Sequence, residues 1–296
     1  MLNDGKRLKR VFCFVLIILL HLLVLSAAEG SFALSYPHRI ISAMPSITEM
    51  LYALDLGNKI VGVTTNCNYP PEASRKEKVG GFFLNLETIV ALKPDMIVMM
   101  EAAQEKEIKK FRSFGLPVFV INPKTVDGVM DAMLALGKAI GCRSRAMEVT
   151  DNMRYRINRV KGRTHAYRPA LGDVLKMWNE GSRQRKALVI VGFDPLVVAG
   201  RDTFIDDVLK CAGVGNVAAG SFQYQQYSFE RLVSDNPQYI IIPAGLITKK
   251  MLTGNARWRS LEAVRTDRIL FINADILSRP GPRVVQAIEQ IADFVY

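Results

Sequence analysis

Along the chain, short apolar runs alternate with amphipathic stretches of helical period, and one such pair is written twice. Asn85–Met100 reads NLETIVALKPDMIVMM. Asn85 suits a helix N-cap, Glu87 falls in the first turn, and Leu86, Ile89, Val90 and Leu92 share an apolar face. Pro94 stops the helix, and MIVMM is an apolar run that predicts a buried parallel strand. Ser228–Pro243, SFERLVSDNPQYIIIP, repeats the arrangement with Ser228 as cap, Glu230 as early acid, Pro237 as stop and YIII as strand. Glu87 and Glu230 are 143 positions apart. A repeat of that period predicts two similar lobes, each with one acid at a matching helix start.

The flanking pattern extends this unit. Arg39–Ser42 predicts a strand, and Pro45-Ser46-Ile47-Thr48-Glu49 a helix start with a capping box between Ser46 and Glu49. Ile60–Val63 is the next strand, followed by the loop Thr65–Pro71 and the segment Val79–Phe83. A charged helix over Gln104–Phe114 and a strand over Val118–Ile121 complete a parallel α/β layer. Helical period then continues from Val126 to about Val160, interrupted at Gly141, and the polar stretch Ser144–Val160 predicts a rigid bridge. Gly162–Arg185 has no clear period and predicts a surface insertion. The second lobe has a strand at Ala187–Val191, a helix at Phe204–Cys211, the Gln/Tyr-rich loop Ser221–Tyr227 and a strand at Ile269–Ile272. It ends in a C-terminal helix opened by Arg279–Arg283. The expected organisation is a signal peptide at 1–28, a lobe at 38–135, a bridge with insertion at 136–186, and a lobe at 187–296.

Composition changes that picture mainly at the N-terminus. With 296 residues, 49% of them hydrophobic, the chain can bury a core large enough for two domains. Lys6, Arg7, Lys9 and Arg10 precede the apolar run Val11–Leu25, and Ser26-Ala27-Ala28 offers small residues for cleavage. This is the layout of a cleavable secretory signal; its 15 apolar residues are short for a membrane span, and retention as an uncleaved anchor is the alternative reading. No cysteine follows the small residues, so an N-terminal lipid anchor is not expected. Removing residues 1–28 takes four basic and one acidic residue and lowers the net charge from +11 to +8. The basic residues are dispersed, and in an exported protein nucleic acid is not an expected partner. Cys67, Cys142 and Cys211 remain after cleavage, which allows at most one disulfide and leaves its pairing open.

Motifs that would carry catalysis are missing. Gly213-Val214-Gly215-Asn216-Val217-Ala218 fits G-x-G-x-x-A, but it follows a helix rather than a strand, so it reads as a helix C-cap. There is no phosphate loop, nucleophile elbow or HExxH, and only His38 and His165 remain after cleavage. Neither hydrolytic chemistry nor a bound metal is expected. What remains is a cleft. In an open parallel sheet, ligands sit beyond the carboxyl ends of the strands. The loops leaving those ends carry Asn68, Tyr69, Phe82, Phe83 and Glu101 in the first lobe and Tyr224, Tyr227, Asp275 and Arg279 in the second. Aromatics there suit a large flat ligand, and Arg279 or Arg283 would suit its acceptor groups.

Five segments, RIISAMPSITEMLYALDLGNKIVGV, NYPPEA, KVGGFFLNLETIVALKPDMIV, GRDTFIDDVLKCAGVGNV and RPGPRVVQAIEQIA, resemble the substrate-binding proteins of ABC importers for cobalamin, haem and iron siderophores. The resemblance covers nearly all of Arg39–Tyr296 apart from the insertion. It implies the class III periplasmic binding protein fold: α/β, with two Rossmann-like lobes of parallel sheet joined by one long bridging helix. It also implies a periplasmic, monomeric receptor that is not an enzyme and holds no cofactor, its ligand being a metal-chelate cargo. In such proteins an acid on each lobe docks onto arginines of the permease, here Glu87 and Glu230. Cobalamin binders line the cleft at the positions of Tyr69, Phe82, Phe83, Tyr224, Asp275 and Arg279. Haem binders often place an iron-ligating tyrosine where this chain has Gly80-Gly81. Siderophore binders often use cleft arginines, a role open to Arg201 and Arg279. A corrinoid and a ferric siderophore are therefore the two expected cargoes. The other reading, a chelatase or metallocofactor-handling enzyme on a similar fold, would need a ligand such as Cys67 at the cleft.

Overall fold

The computed structural model describes residues 36–81, 83–166 and 185–296. The signal segment, Phe82 and most of the expected insertion lie outside the described residues. The first lobe runs β1 (Ile40–Ser42), α1 (Pro45–Ala53), β2 (Ile60–Val63), α2 (Leu86–Ala91), β3 (Met96–Met100), α3 (Glu101–Ser113) and β4 (Val118–Ile121). Its four strands are all parallel in the order β2-β1-β3-β4. Every residue of β3 is buried, as a strand covered by helices on both faces requires.

Two details depart from the sequence reading. The expected capping box does not form. Helix α1 starts at Pro45 with Met44 as N-cap and no side-chain cap, because proline's fixed φ and missing N–H suit the first helical position. Ser46 thus lies inside the helix, and Glu49 turns into the protein with 1% of its side chain exposed. Helix α3 begins at Glu101, ahead of the expected Gln104, which instead marks a kink with φ −136° and ψ 28°. The buried Gln104 side chain accepts from the Met100 N–H and donates to the Ala43 carbonyl, tying the ends of β1 and β3 together.

Helix α4 (Val126–Ile140) is capped by Thr125 and ends at Gly141 in the left-handed region, φ 83°. Helix α5 (Arg143–Ala166) follows. The two pack so closely that a Cβ on Gly137 would collide with Ala146 Cβ. At its N-terminal end α5 is tied to the first lobe by Arg145 Nε–Asp55, 2.8 Å.

The second lobe contains β5 (Lys186–Phe193), β6 (Leu196–Ala199), α6 (Phe204–Cys211), β7 (Gly215–Asn216), β8 (Tyr224–Gln226), α7 (Phe229–Asp235) and β9 (Tyr239–Pro243). Three short helices follow, α8 (Lys249–Gly254), α9 (Ala256–Arg259) and α10 (Glu262–Arg265), then β10 (Ile269–Ile272), α11 (Ala274–Ser278) and α12 (Val284–Val295). Strands β5, β7, β9 and β10 are parallel, while β6 and β8 add an antiparallel extension, so this sheet is mixed. Its main order is β10-β9-β5-β6-β8. The expected loop Ser221–Tyr227 therefore holds a strand, and β5 folds back at Asp194-Pro195 into β6. The G-x-G-x-x-A segment behaves as a C-cap, with Gly213 at φ 75° leading into β7.

Helix α12 lies along α5, fixed by Arg156–Glu289 with bonds of 2.9 and 2.5 Å and by Arg163–Asp293 at 2.8 Å. One hydrophobic core runs through both lobes. It joins Met50 of α1, Leu136 of α4, Ile157 of α5, Val189 of β5, Leu209 of α6 and Ile288 of α12. Smaller clusters cover the outer faces, around Phe111 in the first lobe and Trp258 in the second.

Candidate ligand cleft and docking face

A cavity of about 590 Å³ opens at the carboxyl ends of the first sheet. Ala43 and Met44 leave β1, Thr64 and Thr65 leave β2, and Gln104 follows β3, so parallel strand polarity delivers all five residues to one rim. The facing wall is Ser278, Arg279 and Pro280, where α11 passes into α12. Of the residues expected in the cleft, Asn68 and Arg279 line this cavity.

Arg279 is the centre of a network that crosses between the lobes. Its Nη1 donates to Glu49 Oε1 at 3.0 Å and to Asn68 Oδ1 at 2.8 Å. Its Nη2 pairs with Asp275 Oδ1 at 2.8 Å and reaches the Asn66 carbonyl at 3.5 Å. Asn68 Nδ2 closes the ring by donating to Asp275 Oδ2 at 3.1 Å. Arg283 grips Glu49 in a two-bond fork, Nε–Oε2 2.8 Å and Nη2–Oε1 2.6 Å, and Tyr69 lies over its guanidinium at 3.8 Å. The hydrogen bonds that Arg283 donates to Glu49, opposed by burial, push the Arg283 pKa up. Three expected residues, Asn68, Asp275 and Arg279, are thus brought together, and Tyr69 joins them through Arg283.

The others are placed elsewhere. Glu101, at the start of α3, accepts from Asn122 Nδ2 at 2.6 Å and does not line the cavity. Phe83 is 76% exposed. Arg201 sits over the Phe222 ring at 5.7 Å, and Tyr224 lies on β8, all three residues of which are exposed. Tyr224 keeps half its surface open, yet the surrounding protein raises its pKa by desolvation. Tyr227 belongs to the core: it is buried, bonded to Asp235, and burial with that bond pushes its phenol up to about 12. Sequence reasoning missed Glu49 and Gln104. The available signal was an acid flanked by Ile47, Met50 and Leu51 in the SITEML run, every residue of which is buried. A buried acid demands a cation, and RPGPR offers two.

Cys67, Cys142 and Cys211 are all free thiols. Cys67 is buried 3.1 Å from the hydroxyls of Thr48 and Thr64 rather than at the cavity, so it cannot serve there as the ligand a chelatase would need. Among the described residues no group of three His, Cys, Asp or Glu side chains is placed to hold a metal ion.

The two acids of the repeated unit occupy the same local position. Asn85 accepts from the Thr88 N–H and Ser228 from the Arg231 N–H, so Glu87 and Glu230 are each the second residue of their helix. Both are exposed. Arg257 approaches Glu230 at 3.4 Å, whereas Glu87 has no ion pair among the described residues.

Compared with known families, residues 40–276 match the one described as periplasmic binding protein. The chain belongs to the periplasmic binding protein family. Its two α/β lobes are those of a class III periplasmic binding protein. This binding protein is 29% identical over 265 residues to an uncharacterized ABC transporter substrate-binding lipoprotein, YvrC, of Bacillus subtilis, covering 88% of this chain and 80% of that one. Among solved structures, the periplasmic vitamin B12 binding protein BtuF of Vibrio cholerae superposes with a TM-score of 0.73 at 27% identity, over 88% of this chain and 96% of that one. A periplasmic heme binding protein from Pseudomonas aeruginosa gives 0.74 at 25% identity, over 88% and 93%. Among the described residues, no helix is long and apolar enough to cross a membrane.

Proposed function

We propose that this periplasmic binding protein is exported, captures a metal chelate between its lobes and hands it to the permease of an ABC importer. The observation that carries the reading is the cavity itself, with one wall from the strand ends of the first lobe and the other from the α11–α12 junction of the second. Asn68, Tyr69, Phe83, Tyr224, Asp275 and Arg279 are the residues we assign to the cargo, and Glu87 and Glu230 to the permease. Binding is the whole of the chemistry: the cargo enters and leaves unchanged.

A corrinoid is the preferred cargo. The likeness to the vitamin B12 binding protein supports it, as does Gly80-Gly81 at the position where haem binders carry a tyrosine. Absorbance of the protein purified from its own host, followed by titration with cyanocobalamin, haemin and ferric siderophores, tests this assignment. We expect corrinoid bands and a Kd below about 1 μM, near −8.2 kcal/mol. Binding of none of these chelates would overturn the receptor reading, and tight binding of haemin or a siderophore alone would overturn the cargo.

A further inference from the structure

Two arginines stand at the cleft, and the protein has already used both. Among the described residues, Arg279 is the only charged side chain lining the cavity. Each of its Nη atoms has two hydrogens to give, and each already has two protein acceptors: Glu49 and Asn68 for Nη1, Asp275 and the Asn66 carbonyl for Nη2. No fork is left to grip a ligand carboxylate. Arg283 is committed to Glu49 through Nε and Nη2, and its face is covered by Tyr69. The charges balance locally, with Glu49 and Asp275 against Arg279 and Arg283. Glu49 is the pivot, since one buried carboxylate from the first lobe holds both arginines of the second. An unbalanced charge in the wall of a cavity acts on a bound ligand more strongly than one in bulk water, so cancelling it bears on which ligands are held.

We propose that Glu49 sets the charge selectivity of the cleft: by holding Arg279 and Arg283 it presents a neutral wall that admits an uncharged chelate and turns away polyanionic ones. It is a positioning residue, set behind the arginines and outside the cavity lining. The proposal rests on the receptor reading above and adds the charge class of the cargo together with the residue that imposes it. Removal of the Glu49 charge would free one guanidinium fork for an anion without altering the apolar surfaces that a neutral ligand meets.

The experiment compares cyanocobalamin, which carries no net charge, with haemin, which carries two propionates, on the full mature chain. Glu49→Gln is expected to raise the haemin-to-cyanocobalamin affinity ratio by roughly tenfold, the effect of about 1.4 kcal/mol. The double variant Glu49→Gln/Arg283→Met, with one acid and one arginine gone together, restores local neutrality and should return the ratio to the wild-type value. A merely structural role for Glu49 would weaken both ligands alike and leave the ratio unmoved, which overturns the proposal. Should Glu49→Gln fail to fold, Arg283→Met unbalances the same cluster in the opposite sense, and a haemin-to-cyanocobalamin ratio that does not fall there overturns the proposal equally. Wild-type protein that binds neither ligand would count against the receptor reading instead.

Discussion

Tyr227 shows what one residue contributes when its surroundings fix its protonation. The phenol is buried and donates to Asp235, and its pKa is pushed up to about 12 by desolvation and by that carboxylate. A raised folded-state pKa gives stability that is full below the ordinary tyrosine value near 10 and is lost as pH rises toward 12. Tyr227→Phe should cost about 1.5 kcal/mol at neutral pH, with the difference from wild type shrinking above about pH 10. Urea titrations at the two pH values check it. At this scale the sequence was readable wherever the physics is local. The Asn85 and Ser228 caps form as their spacing implies, because a cap needs only the N–H three residues ahead. Glu49 was misread for the converse reason. The S-x-x-E pattern was present, but Pro45 took the first helical position and two arginines more than 200 residues away offered the acid stronger partners.

Helix α5 is the element on which both lobes are mounted. Its periodicity was legible, though its extent to Ala166 was not, since beyond Val160 the last turns carry no apolar residue but the terminal Ala166 to mark them. The β6–β8 extension was also hidden. LVVA is only four residues long, and YQQ is exposed throughout, so neither shows the alternation of a half-buried strand. Where α5 meets α12, Arg156 lowers the pKa of Glu289 by hydrogen bonding. A depressed carboxylate stabilises the fold above its ordinary range and loses that contribution as pH falls through the folded value. Glu289→Gln should cost about 1 kcal/mol at pH 7, because the pair is only partly buried, and close to nothing near pH 3. Thermal melts at both pH values measure the difference. At the other face of α5, Gly137→Val should force α4 away from Ala146 and cost about 1–3 kcal/mol, read as a fall in urea midpoint.

On the scale of the whole molecule, the duplicated acids are the feature that was plainest in the sequence, and neither lines the cavity. Their helices start alike, yet Glu230 shares its charge with Arg257 while Glu87 does not. Reversal of both, Glu87→Lys with Glu230→Lys, should abolish cargo uptake in cells and leave the cargo Kd within about twofold of wild type. The single change at Glu87 should cost more uptake than the one at Glu230. Equal uptake by the double variant and wild type would show that the permease docks elsewhere. The cleft itself was only partly legible. Strand polarity identified which loops would meet, but which side chains bond to which depends on long-range packing that no local pattern carries.

The hydrophobic core that passes without a break from α1 through α4 and α5 into α6 and α12 has a calorimetric consequence. Two lobes with separate cores would melt as two events. Here neither half can lose its packing without stripping the other, so the described fold should give a single endotherm whose van't Hoff and calorimetric enthalpies agree. Cargo at a hundred times its Kd should displace that one peak upward, by about 2.7 kcal/mol of added stability, with no shoulder left at the original temperature. A chain cut after α4 should accordingly yield no folded half.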